Sequence, residues 1–221
     1  ILAEITDFDF YEYLPSIYRW GYSILFNPSK EIHKNKILQF YDEGQDEGQK
    51  IIKKITINKM SDALKKEEFI KKLFTEWLDS EQHPIMQFYL LYQIIELLIN
   101  KVSQNEFKKI AINLSQQKED LDDLPFKLQT LSKEVTRIVY LFKKYTQVQS
   151  TQLKDLCIKF LNNKELSDKD LPELLYKVRC FLVHNYRCIN EEQLKSMVDI
   201  NFYFEEVVIS ILNEYKEPPD N

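Results

Sequence analysis

The sequence predicts an all-α fold, and three observations support it. Only 3 of the 221 residues are Gly, whereas β folds rich in turns need more. The 7 Pro fall mostly at the ends of predicted elements. Hydrophobic residues make up 44% of the chain and recur at helical spacing. We therefore expect a helical domain over residues 81–221, preceded by an aromatic-rich, mostly helical region of uncertain role over residues 1–80.

The first 80 residues give the less definite pattern of elements. Aromatic residues crowd positions 1–27, and Asn27-Pro28-Ser29 predicts a turn after them. Gly44 and Gly48 mark a polar loop, and residues 51–57 fit either a short strand or a helical turn. The stripe of residues 61–80 predicts an amphipathic helix that Ser61 or Asp62 would cap.

The rest of the chain predicts a series of helices joined by short turns. Pro84 is suited to a first helical turn, and Ser167 or Asp168 would cap the helix before Pro172. The expected helices span 84–102, 105–118, 126–147, 151–161, a motif helix that contains 174–186, and 191–215.

The motif helix carries one Arg and one His among apolar residues. At about 100° per residue, Arg179 and His184 flank the core-facing stripe on opposite sides, at about +100° and −120° from Val178. Such an apolar helix is normally buried, so both polar groups need partners. Arg holds phosphate bidentately and His transfers protons near neutral pH, which together suit phosphodiester cleavage without a metal.

The back of the motif helix is less polar than a solvated face. It carries Tyr176, Cys180 and Val183, which predicts a second buried face against another copy of the helix. A two-fold axis there would bring two Arg and two His side chains into one cleft. The competing interpretation is a buried helix whose Arg and His satisfy local carbonyls and carboxylates.

The segment Arg179-Cys-Phe-Leu-Val-His184-Asn resembles the Arg-x4-His signature of HEPN domains. The flanking Leu-Tyr-Lys-Val and the helical context extend the resemblance over roughly residues 84–215. The residue after the motif Arg is often a polar Asn, Asp or His in that family, and here it is Cys180. The resemblance implies a HEPN-like helical bundle for the domain over residues 81–221.

The resemblance also implies a metal-independent endoribonuclease that acts as a homodimer through the motif helix. His184 would act as general base or acid, and Arg179 would stabilise the charged phosphate. The expected product ends in a 2′,3′-cyclic phosphate. Such domains are common in toxin–antitoxin, abortive-infection and CRISPR-associated systems, so the implied role is an effector toxin in anti-phage defence.

Three further residues have expected roles. Asn185 would hold His184 or a phosphate oxygen. Glu96, on a stripe with Tyr89 and Gln93, either lies on a solvated helix face or points at the Arg–His cleft, where the resemblance would place an acidic residue. Tyr186 resembles the Tyr that a nucleotidyltransferase antitoxin modifies with AMP in some HEPN toxins, although a structural role for its ring is the simpler interpretation.

Composition restricts the remaining function classes. A net charge of −5 gives no global basic surface for nucleic acid, so RNA binding requires a local patch. The 3 Cys are odd in number and lack zinc spacing, which favours a reduced, cytoplasmic location without a metal. We expect no cofactor, because no phosphate-binding Gly loop is present, and no membrane association, because Gln93 and Glu96 interrupt the longest apolar run.

Two other function classes are consistent with the same residues. A catalytically inactive HEPN module would use the motif helix for dimerisation, partner binding or nucleotide binding, and would pair Arg179 with an internal carboxylate such as Glu96. A helical scaffold with a chance motif would be a monomer whose own chain covers Tyr176, Cys180 and Val183.

Overall fold

The computed structural model describes residues 9–21, 41–43, 50–52, 56–118 and 120–217, and it confirms the all-α fold. The chain divides into two compact units, Ile1–Gln82 and His83–Asn221. The predicted turn at residues 27–29 and the polar loop at 44–48 lie outside the described residues.

The first unit contains a capped helix and a small hairpin. Helix α1 spans Phe10–Arg19, and the Asp9 carboxylate accepts a hydrogen bond from the Tyr11 N–H at its start. The ring of Tyr18 from this helix packs edge-on against Phe74 at 5.3 Å. Strands β1 (Tyr41–Glu43) and β2 (Lys50–Ile52) pair antiparallel, so the start of the ambiguous 51–57 segment is a strand.

The predicted helix over 61–80 is wrong in its first turns. Residues 62–66 form turns, and helix begins only with α2 (Glu68–Lys72), which continues through a π-helical turn (Leu73–Trp77) into α3 (Leu78–Ser80). Ser61 does not cap a helix, because its carbonyl accepts from Leu64 in a turn that buries the Leu64 side chain.

The second unit is a helical bundle. Its elements are α4 (Pro84–Ser115), α5 (Leu124–Ser132), α6 (Glu134–Tyr140), a π-helical turn (Leu141–Tyr145), α7 (Thr151–Leu161), a 3₁₀ turn (Lys164–Leu166), α8 (Leu171–Asn185), a second 3₁₀ turn (Tyr186–Cys188) and α9 (Glu191–Glu214). Helix α9 packs on α4 and α7, α8 packs on α6 and α7, and α6 packs on α4.

Helix α4 replaces the two helices predicted over 84–102 and 105–118. It runs unbroken for 32 residues because no Gly or Pro follows Pro84 within it, and Ser and Asn at its middle only weaken a helix. By length and composition α4 could cross a membrane, but half of its most apolar window is buried in the unit, as in a core helix. Phe88 packs there against Tyr92 and Phe204.

The prediction of a single helix over 126–147 is also wrong, because the helix is interrupted at Lys133. Lys133 is extended, with ψ of 124°, and Ser132 donates its hydroxyl to the Gln129 carbonyl. This break makes Glu134 the first residue of α6, which faces α4 and α8. The apolar residues keep their helical spacing through this interruption, so the sequence pattern gives no sign of it.

Candidate functional site: a charged cluster on the motif helix

Helix α8 begins later than predicted, and one of its faces is firmly buried. Asp170 takes the N-cap position that was predicted for Ser167 or Asp168, and its N–H donates to the Glu173 carboxylate at 3.4 Å in a capping box. The apolar side chains of the buried face belong to Leu171, Leu174, Leu175, Val178 and Leu182. This packing fixes the rotation of the helix and therefore the direction of its polar residues.

Arg179 lies at the edge of the buried face and pairs with Glu96 from α4. Its Nη2 is 3.5 Å from the Glu96 Oε1, and the two side chains are 30% and 33% exposed. Gln93 donates to the other Glu96 oxygen at 2.9 Å. Glu96 therefore contacts Arg179 and is a third exposed, a position that fits both the cleft interpretation and the inactive-module interpretation.

A second carboxylate, that of Glu134, affects Arg179 through its charge, whereas Glu96 is the carboxylate that contacts it. The buried Tyr92 hydroxyl donates to the Glu134 Oε1 at 3.1 Å. Partial burial disfavours the charge of Arg179, yet its electrostatic interactions with Glu134, Tyr92 and Glu96 outweigh this effect, so the pKa of Arg179 is raised. Burial, with the Glu134 charge and hydrogen bond, also raises the pKa of Tyr92 far above its ordinary range.

Sequence reasoning missed Glu134 and Tyr92. Tyr92 lies within an apolar run that predicts only core packing, and Glu134 was placed inside a continuous helix. The available signal was Ser132, which is a common residue at helix boundaries and is followed two positions later by an acidic residue suited to a first helical turn.

His184 is exposed in the last turn of α8, and its side chain is not part of the cluster around Arg179 in the same chain. It lies five positions after Arg179, which places the two about 7.5 Å apart along the axis and about 140° apart around it. The two side chains therefore point away from each other, and a second molecule must supply the missing group if both act on one phosphate.

Asn185 and Tyr186 lie at the end of α8. The Asn185 amide donates to the Phe181 carbonyl at 3.2 Å, so it satisfies the helix end and is half-buried. Tyr186 begins the 3₁₀ turn, is 52% exposed, and has its ring centroid 6.4 Å from that of His83.

The back of α8 is partly apolar and partly open. Tyr176 and Cys180 are half-buried, and Val183 is 48% exposed. A side-chain hydrogen bond with Cys180 is the largest cause that raises the pKa of Tyr176. The exposure of Val183 differs from what the scaffold interpretation expects, since that interpretation has the chain cover all three residues.

Two grooves lie elsewhere in the second unit, on either side of residues 148–150. Their volumes are about 270 and 480 Å³, and neither is lined by Arg179 or His184. The larger one meets the start of α8 at Leu171 and Pro172. Neither of these grooves therefore supplies an RNA-sized cleft at the Arg–His motif.

The chain matches no family model, no curated protein and no solved structure. The resemblance of residues 179–185 to the HEPN signature is therefore the basis for the function proposed below.

Proposed function

We propose that this protein is a HEPN-like, metal-independent endoribonuclease that acts as a homodimer. The observation that carries the proposal is the placement of Arg179 and His184 on two sides of a half-open apolar helix face. A partner copy seated on Tyr176, Cys180 and Val183 would set the Arg179 of one copy beside the His184 of the other. Such a two-fold contact is self-complementary and closes the dimer.

The chemistry follows from these two groups. His184 removes the proton of a ribose 2′-OH, whose oxygen attacks the adjacent phosphorus, while water protonates the departing 5′-oxygen; in the alternative, His184 protonates the 5′-oxygen and water takes the 2′-OH proton. Arg179 stabilises the additional negative charge on the pentacoordinate phosphate. The P–O5′ bond breaks as the new P–O2′ bond forms, which leaves a 2′,3′-cyclic phosphate and a 5′-OH end. Anti-phage defence, as an effector toxin, is the biological role implied by the resemblance.

The direct test is cleavage of a fluorescent single-stranded RNA in EDTA by wild type, Arg179→Ala and His184→Ala. We expect wild type to cut and both variants to lose cutting. Lys159→Ala, which removes an exposed charge from α7, is the control and should cut normally. Cleavage that survives His184→Ala in a clean preparation would contradict the mechanism.

Mixing the two inactive variants tests the composite site. A heterodimer of Arg179→Ala and His184→Ala retains one site with Arg179 from one chain and His184 from the other. An equal mixture after subunit exchange should therefore recover about a quarter of wild-type activity. A site within one chain predicts no recovery, because each chain then lacks one group.

A specific observation favours a second candidate, the inactive HEPN module for dimerisation or for partner or nucleotide binding. Within one chain, Arg179 contacts the Glu96 carboxylate, which competes with a phosphate for the guanidinium, and the charge of Glu134 acts on it as well. This candidate predicts that wild type forms the same dimer, detected by thiol crosslinking through Cys180 in a Cys188→Ser background, but never cuts RNA.

Modification of Tyr186 is an additional proposal that rests on the HEPN resemblance. A half-exposed ring just beyond α8 is accessible to an antitoxin nucleotidyltransferase. The intact mass after co-expression with such a partner should rise by one AMP in wild type and stay unchanged in Tyr186→Phe. An unmodified wild-type protein would remove this proposal and leave the nuclease proposal standing.

A further inference from the structure

Arg179 and Tyr186 lie on the side of α8 that faces α4. The guanidinium of Arg179 contacts the Glu96 carboxylate at 3.5 Å, and the ring centroid of Tyr186 is 6.4 Å from that of His83, the N-cap residue of α4. Because Glu96 and His83 belong to the same neighbouring helix, the guanidinium and the phenol ring line one seam between α4 and α8. Tyr186 follows Arg179 by seven positions, which is about 10.5 Å at the helical rise.

A second tyrosine lies on the same seam. Tyr89 precedes Glu96 by seven residues and therefore lies on the same side of α4, between the two contacts. It is half-buried, and its ring packs edge-on against the buried Phe88 with ring centroids 6.3 Å apart. The seam therefore combines one guanidinium with the rings of Tyr89, Tyr186 and His83.

The seam is open to solvent. The Arg179 side chain is 30% exposed and Tyr186 is 52% exposed, although both have a neighbour on α4. The expected dimer face, formed by Tyr176, Cys180 and Val183, lies about 40–100° around α8 on the other side of Arg179. A dimer through that face therefore leaves the seam accessible to a ligand.

A guanidinium beside exposed aromatic rings suits a single-stranded nucleic acid. The guanidinium binds a phosphate, and an aromatic ring stacks on a base that is not paired. About 10.5 Å between the two groups is a span that one extended nucleotide bridges. A net charge of −5 gives no broad basic surface that would hold a duplex along its backbone, so stacking gains weight as a source of affinity.

We infer that Tyr186 is a base-stacking residue for single-stranded RNA. An unpaired base next to the phosphate on Arg179 stacks on the Tyr186 ring, with the His83 ring beside it. This inference deepens the proposed nuclease function and rests on it for the identity of that phosphate as the one that is cleaved. Tyr186 then contributes to substrate binding and takes no part in proton transfer.

Stacking can be measured without cleavage, from the fluorescence of 2-aminopurine placed at each position in turn of a short single-stranded RNA. With His184→Ala as the background, we expect quenching at one position, next to the bond that wild type cuts. Adding Tyr186→Ala should abolish this quenching and weaken RNA binding about fivefold or more, whereas Tyr186→Phe keeps the ring and should retain both. Phe126→Ala is the matched control and should change neither, because Phe126 is a 71% exposed ring on α5, which packs on α6. Equal quenching with and without the Tyr186 ring, or no quenching at any position, would overturn the inference.

Cleavage kinetics separate stacking from a role of Tyr186 in the fold. Tyr186→Ala should raise KM about tenfold and leave kcat within about threefold, because the lost contact is the same in the ground state and the transition state. An RNA that lacks the base at the stacked position should give wild type and Tyr186→Ala the same KM, since ring and base act only together. An equal rise in KM for both RNAs would overturn the inference. Failure of wild type to cut any RNA would instead refute the nuclease proposal, and the quenching experiment would still decide whether Tyr186 stacks on a base.

Discussion

Two tyrosine–glutamate pairs lie along α4 and share one geometry but differ in their charge environment. Tyr92 donates to Glu134 at 3.1 Å, and Tyr145 donates to Glu106 at 3.1 Å. Around Glu106 cations are in excess, since Lys109 and Lys144 both approach within 3.2 Å. Around the first pair carboxylates are in excess, since both Glu96 and Glu134 act on the single Arg179.

This difference distinguishes a closed cluster around Glu106 from an open cluster around Arg179. The Glu106 side chain is 12% exposed and has short contacts to two lysines and a tyrosine, so its acceptor capacity is used internally. Arg179 is 30% exposed and has a longer contact to Glu96, so part of its donor capacity remains for a ligand. Satisfied clusters stabilise a fold, whereas exchangeable ones can bind substrate.

The largest contrast between the two clusters should appear in catalysis. Arg179→Ala should reduce RNA cleavage about 10²–10³-fold, because it removes the group that stabilises the phosphate charge. Lys144→Ala removes a cation from the closed cluster and should leave cleavage within about twofold of wild type. Initial rates with saturating RNA measure both. Equal losses in the two variants would mean that the Arg179 cluster has no special part in the reaction.

Stability should show the opposite contrast. Glu106→Gln leaves two lysines without their carboxylate and should lower the free energy of unfolding by about 1–2 kcal/mol. Glu96→Gln affects a third-exposed pair and should cost less than about 0.5 kcal/mol. Urea titrations followed by circular dichroism measure both values. If Glu96→Gln lowered the free energy of unfolding more than Glu106→Gln does, the cluster around Arg179 would be the one that stabilises the fold.

The closed cluster also predicts an acid-sensitive contribution to stability. Burial works against the charge of Glu106, but hydrogen bonds from Lys144 and Lys109 outweigh it, so its pKa lies below the ordinary value of 4.5. A depressed pKa in the folded protein means that the contribution is present above about pH 4.5 and is lost as the pH falls through the folded value. The gap in unfolding free energy between wild type and Glu106→Gln should therefore shrink below pH 4.5. A gap that is constant from pH 7 to pH 3 would contradict this assignment.

The sequence was sufficient for the fold class and for the rotation of the motif helix. Helical periodicity gave the all-α fold, and a 100° step per residue placed Arg179 beside the buried stripe, where it meets Glu96. Both inferences use positions within one helix. The spacing of apolar residues determines such positions almost completely.

Apart from the contact between Arg179 and Glu96, the contacts between helices were beyond sequence reasoning. The position of Glu134 depends on the interruption of the helix at Lys133 and on the packing of α6 against α4 and α8. Neither feature can be recognised from the spacing of apolar residues in the sequence. Tyr92 has the sequence pattern of a core residue. Its second role, the hydrogen bond to Glu134 on another helix, comes from its hydroxyl alone.

The smallest effects provide the sharpest comparison, because they come from the same chemical change in both clusters. Tyr92→Phe and Tyr145→Phe each remove one hydroxyl that donates to a Glu at 3.1 Å and keep the packed ring. Each should cost about 1 kcal/mol of unfolding free energy. Only Tyr92→Phe should also lower kcat, because only its Glu partner acts on Arg179 through its charge. If both variants lose the same stability and neither changes kcat, the hydrogen bond from Tyr92 to Glu134 stabilises the fold and has no part in cleavage.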